Sequence, residues 1–149
     1  MKMFTLLVAL KSAFLQAPQP LSYSLIQKHI VPVSQMATTV LGENVLVLGG
    51  KDNKGIALNT VILYNLITKK CSKPPNMMTK RCGCTAVTIG DDIIVMGGWD
   101  KAGKKLNSVE CYNSKNGWTK LQDMTEARAL ATAVVMHVNK ESCNVDKKS

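Results

Sequence analysis

The sequence predicts an all-β chain built from two tandem copies of a four-stranded antiparallel unit. Three observations carry this reading. First, the chain repeats itself: Val45-Leu46-Val47-Leu48-Gly49-Gly50 is answered by Ile93-Ile94-Val95-Met96-Gly97-Gly98, an offset of 48 residues from Gly49 to Gly97. The same offset carries Gly42 to Gly90, Gly55 to Gly103, Val61 to Val109 and Tyr64-Asn65 to Tyr112-Asn113. Self-similarity at a period near this length marks a repeat architecture. Second, each copy divides into short runs rich in Val, Ile, Thr and Tyr, which suit a pleated, packed surface. Third, turn residues rather than helical patterns separate the runs, which argues against a parallel α/β sheet.

Taken in chain order, residues 1–32 form an N-terminal segment. Lys2 followed by the apolar run 3–10 resembles the start of a signal peptide, but Lys11 interrupts it and no small-x-small cleavage site follows. The run is too short to cross a membrane; an amphipathic helix or an additional strand is the other reading. The first repeat occupies residues 33–83 and the second residues 84–128. Strands of the second repeat are placed at 85–89, 93–96, 106–112 and 118–121, with turns at 90–92, 100–105 and 113–117. Residues 93–96 are apolar throughout, so both faces of that strand are expected to be buried. Past a one-residue slip in a loop, the offset becomes 47. It then maps Met77 to Met124, Arg81 to Arg128 and Thr85-Ala86-Val87 to Thr132-Ala133-Val134. Residues 129–138 are therefore read as the first strand of a third unit. No third Gly-Gly follows, and 139–149 is a polar tail expected to be disordered.

An apolar strand ending in Gly-Gly, followed by Tyr and then Trp, resembles the kelch repeat over about residues 33–136. The second copy matches best, with Gly97, Gly98, Tyr112 and Trp118, the last two six residues apart. The first copy has Gly49, Gly50 and Tyr64 but Cys71 where Trp is expected, which predicts weaker packing there. In physical terms, paired glycines permit positive φ and close backbone approach at the strand end. Tyr64, Tyr112 and Trp118 offer broad apolar faces for the space between sheets. The resemblance implies a partial β-propeller: two four-stranded antiparallel blades plus one extra strand, in an incomplete ring. A closed propeller has about four to eight blades. The chain therefore reads as a fragment, as a unit that self-associates to complete a ring, or as an open two-blade array. The resemblance also implies a protein-interaction module whose loops grip a partner, such as the substrate-recognition part of a cullin-type ubiquitin-ligase adaptor. A truncated, non-catalytic propeller fragment with a structural or actin-binding role is the alternative.

The formal net charge of +9 comes from 19 Lys and Arg against 10 Asp and Glu. Such a balance favours acidic partners. The basic residues are scattered, however, and only Arg81 and Arg128 are arginines, so they read as solvated loop lysines and not as a nucleic-acid face. Five cysteines, with no Cys-x-x-Cys spacing, indicate neither a disulfide framework nor a zinc knuckle. Cys82 and Cys84 point to one face of a strand and read as small buried residues. With no N-glycosylation sequon, this favours a cytoplasmic location, secretion being the alternative if residues 1–20 are a signal peptide. His29 and His137 are the only histidines, and no nucleophile-elbow, zinc-protease or phosphate-loop motif is present. No enzymatic activity, metal or cofactor is expected.

The candidate partner-binding residues lie in two equivalent loops and two connectors. Lys51, Asp52 and Lys54 belong to the loop 51–57, and Trp99, Asp100 and Lys101 to the loop 99–105. Trp99 follows Gly-Gly directly and is read either as an exposed hot spot or as packing against a neighbouring blade. Arg81 and Arg128 each precede an inner strand and are read either as structural ties between loops or as partner contacts.

Overall fold

The computed structural model describes residues 34–136. The N-terminal segment 1–32 and the tail 139–149 lie outside the described residues. Two four-stranded antiparallel sheets account for the ordered strands. The first contains β1 (Ala37–Leu41), β2 (Asn44–Leu48), β3 (Val61–Asn65) and β4 (Cys71–Ser72). The second contains β5 (Thr85–Ile89), β6 (Asp92–Met96), β7 (Val109–Asn113) and β8 (Gly117–Lys120). Each is a simple meander in chain order, and neither closes on itself. Leu48 pairs with Ala37 and Val61, and Met96 pairs with Thr85 and Val109, so the 48-residue offset is also the structural register.

Side chains alternate across a strand, which assigns each sheet two faces. Ala37, Leu46, Leu48 and Val61 share one face of the first blade, and Ile93 and Val95 lie on the facing surface of the second. With Met77 and Cys84 from the connector they form one buried cluster. Thr39 and Thr88 meet across the same interface, their hydroxyl oxygens 2.8 Å apart. Tyr112 and Trp118 close its lower edge with ring centroids 5.2 Å apart. The indole N–H of Trp118 donates to the carbonyl of Pro75 at 2.8 Å, tying the second blade back to the first blade's connector. At Cys71, where the first blade lacks the corresponding Trp, β4 is only two residues long.

The Gly-Gly pairs do a specific job. Gly49 and Gly97 adopt φ of +61° and +65°. A Cβ on Gly49 would overlap the carbonyl oxygen of Arg81, and one on Gly97 that of Arg128. The connector leaving each blade is thus laid directly on the end of that blade's second strand.

Three expectations are corrected. β6 is not buried on both faces: Ile93 and Val95 are fully buried, whereas Ile94 and Met96 are half-buried. Their face is the one that a following blade would cover. Residues 106–108 belong to the loop, Leu106 N–H donating to Gly98 O at 2.8 Å, so β7 begins at Val109. The extra strand placed at 129–138 is not formed over its described residues 129–136. Its sequence copies β5, but β5 is a strand because β6 pairs with it, and these residues have no second strand to meet.

Gly97→Ala is expected to cost at least about 2 kcal/mol, combining positive φ with backbone overlap. Gly103→Ala, at φ +79° with open space around the added carbon, should cost only about 1 kcal/mol. Urea unfolding of the two variants measures the difference.

Candidate interaction surface

The two blades present equivalent features at one end, and Arg81 holds that end together. Its backbone belongs to the first blade: the N–H donates to Leu58 O and the carbonyl accepts from Gly50 N–H, both at 2.9 Å. Its side chain belongs to the second. Nη1 donates to Gly97 O at 2.9 Å and Ser108 O at 3.1 Å. Nη2 donates to Ser108 Oγ at 3.1 Å and Glu110 Oε1 at 2.6 Å. Glu110 also accepts the backbone N–H groups of Met78 and Thr79 at 2.8 and 3.0 Å. Both charges are buried, with exposures of 0% and 2%. Of the two readings open for Arg81, the geometry supplies the structural one.

Arg128 repeats the backbone half of this arrangement only. Its N–H donates to Leu106 O at 3.1 Å and its carbonyl accepts from Gly98 N–H at 2.7 Å. Its side chain remains 60% exposed and pairs with exposed Glu126 at 2.9 Å.

The loops 51–57 and 99–105 are matched tight turns. Asp52 Oδ1 accepts from the N–H groups of Lys54 and Ile56 at 2.9 and 2.8 Å. Asp100 Oδ1 accepts from those of Ala102 and Lys104 at 2.8 and 2.9 Å. Each aspartate therefore engages its own loop, and the outward chemistry is left to lysine. Lys54, Lys101, Lys104 and Lys105 are exposed, and Lys51 is half-buried. Trp99 is half-buried as well. Its backbone pairs both ways with Cys82, and its ring lies over Gly83, where a Cβ would come within 2.6 Å of Cζ3. One portion of the indole packs, and the remainder lies beside the lysines of its loop.

Cys82 and Cys84 are buried, as expected of small core residues. Burial pushes the Cys84 thiol up from 9.0 to about 11 against the opposing pull of the Arg81 charge. Burial also raises Cys71 and Cys111. The thiols are thus poor nucleophiles at neutral pH.

The sequence pattern located both loops and both arginines but missed Glu110, Ser108, Lys104 and Lys105. Glu110 was detectable as the lone carboxylate in the strand Val109-Glu110-Cys111-Tyr112, at a position where the first repeat carries Ile62.

Arg81→Ala should cost about 3–5 kcal/mol, because it strands a buried carboxylate, while Arg128→Ala should stay within about 0.5 kcal/mol; chemical denaturation distinguishes them. The raised Cys84 pKa favours the protonated thiol in the folded chain. Its contribution is complete below pH 9 and is lost as pH rises toward about 11. Cys84→Ala is expected to flatten that part of the stability–pH curve.

A family model described as "Kelch motif" matches residues 32–78 and 80–125, together more than half of the chain. Comparison with curated proteins finds no match. The two matched segments carry the paired glycines, the Tyr–Trp contact and the two four-stranded sheets described above. The chain belongs to the kelch-repeat family and contains two kelch motifs.

Proposed function

We propose that this chain is a protein-interaction module that holds an acidic segment of its partner against the loops 51–57 and 99–105. The carrying observation is that both loops stand at the same end, with their aspartates engaged internally and their lysines directed outward. Kelch repeats generally form a non-catalytic interaction fold, which supports a binding role over an enzymatic one. Among the described residues, no helix is long and apolar enough to cross a membrane. The half-exposed Trp99 gives the surface one aromatic anchor of the kind that dominates binding energy elsewhere.

The more specific reading is substrate recognition for a cullin-type ubiquitin ligase, in the cytoplasm. The family resemblance and the four free cysteines among the described residues support it. Under that reading a cullin co-purifies with the tagged chain from cells; its absence would remove the adaptor role and leave the binding role in place. A second reading, a non-catalytic propeller piece with a structural or actin-binding role, is favoured by the uncovered face of the second blade. Co-sedimentation with filamentous actin tests it.

An oligo-glutamate peptide titrated against the full chain should bind with an affinity that falls as salt rises. The Lys101→Glu, Lys104→Glu double variant should weaken it by about tenfold or more, and Trp99→Ala should weaken it further. Equal binding of the charge-reversed chain would contradict the proposal.

A further inference from the structure

The open face of the second blade shows what kind of surface it is made to meet, because the first blade presents the same face already covered. Counting by 48, Leu46, Leu48, Leu63 and Leu41 of the covered face correspond to Ile94, Met96, Cys111 and Ile89 of the open one. The first set packs in or against the buried cluster. Of the second set, Ile94, Met96 and Cys111 are half-buried and Ile89 is 46% exposed. Beside them an open groove is lined by Gly83, Thr85, Met96, Met124, Arg128 and Thr132. Leu130, Val134 and Met136 extend the exposed apolar surface at 66%, 76% and 77%.

Arg128 makes this more than an apolar patch. Its backbone is fixed to the second blade by the two hydrogen bonds that fix Arg81 to the first. Arg81 uses that mounting to reach a Ser-x-Glu strand, Ser108 and Glu110, on the blade that follows. Arg128 is mounted in the same way at the rim of the uncovered face, with only the exposed Glu126 beside it.

A second copy of this chain does not supply the complement. Its first blade would present Thr60 and Ile62 at the positions of Ser108 and Glu110, an aliphatic side chain where a carboxylate is needed. The residue 48 before Arg81 is Val33, so arginine and glutamate are replaced together by valine and isoleucine at the front of the first repeat. Its second blade does carry Glu110, but that carboxylate is already occupied by Arg81. Two open faces placed together would oppose two Arg128 side chains.

We propose that the open face of the second blade, with Arg128 at its rim, docks a partner kelch-type blade that carries a carboxylate at the position equivalent to Glu110, and that it does not dock a second copy of this chain. The surface lies apart from the lysine-bearing loops and does not depend on the function proposed for them.

The test supplies the partner sheet by tethering, which raises its effective concentration. The probe is the full chain with a duplicate of residues 82–136 spliced after Arg128, the duplicated Cys111 position being set to Leu as at Leu63. A companion probe differs only in having Ile at the duplicated Glu110 position. Alkylation of Cys111 is read by peptide mass spectrometry, alongside thermal unfolding and light scattering of the unextended chain. The carboxylate-bearing extension should slow Cys111 alkylation by about tenfold or more, the expected consequence of burying a half-exposed thiol. Arg128→Ala should then lower the unfolding midpoint of that chain by several degrees, while leaving the isoleucine companion and the unextended chain unchanged. The unextended chain should scatter as a monomer. Equal protection of Cys111 by both extensions, insensitivity to Arg128→Ala, or an oligomer of the unextended chain lost in Arg128→Glu would each overturn the proposal.

Discussion

The two blades depend on one buried guanidinium. Arg81 is held by its backbone to the end of the first sheet and by its side chain to the interior of the second. Removing an arginine and a glutamate from water is costly, and the Coulombic attraction repays it only when the remaining donors and acceptors find partners. Here most do. Four hydrogen bonds leave the guanidinium and three reach the Glu110 carboxylate, with Arg81 Nε alone lacking a partner. The ion pair therefore does more than add attraction. It fixes the angle and register at which one blade meets the next, a role that an apolar contact of similar area would leave less constrained.

Around that tie, the rest of the interface is ordinary packing. Leu46 and Leu48 meet Ile93 and Val95, and Trp118 reaches back to Pro75. The glycine pairs make the arrangement possible by letting the connector lie against the strand end, which brings Arg81 to the one place from which its side chain can enter the second blade. Replacing Trp by Cys71 in the first repeat leaves a shorter β4 and no comparable reach to a preceding connector.

Much of this was legible in the sequence because it is local and repeated. The strand ends at Gly49 and Gly97, the hairpins and the Tyr112–Trp118 pairing follow from patterns spaced a few residues apart, and the 48-residue offset fixes which residues are equivalent. What was not legible depends on contacts between units. The sequence left Arg81 and Arg128 as equals, yet one is fully buried and the other exposed, solely because a Ser-x-Glu strand follows the first and no described strand follows the second. The half-exposure of Ile94 and Met96 has the same origin: an apolar run states what a strand can bury, while the neighbouring blade decides whether it does. Residues 131–136 show this most clearly, since a close copy of the β5 sequence forms no strand without a second strand to pair with. The aspartates of the two loops were legible as polar but not as caps, because their acceptor role depends on the turn geometry.

Two surfaces with different chemistry result. One end carries lysines and part of an indole on rigid turns, suited to a charged peptide segment. The flank of the second blade is apolar with a single mounted arginine, suited to another sheet. The whole account requires that the two blades behave as one body. Native-state hydrogen exchange measured by mass spectrometry in low denaturant tests this most directly. If the Arg81–Glu110 tie couples the blades, amides of β2 and β6 will exchange through one opening event of equal free energy, and Glu110→Gln will lower both together. Independent opening of the first blade, with β6 protection unchanged in Glu110→Gln, would contradict it.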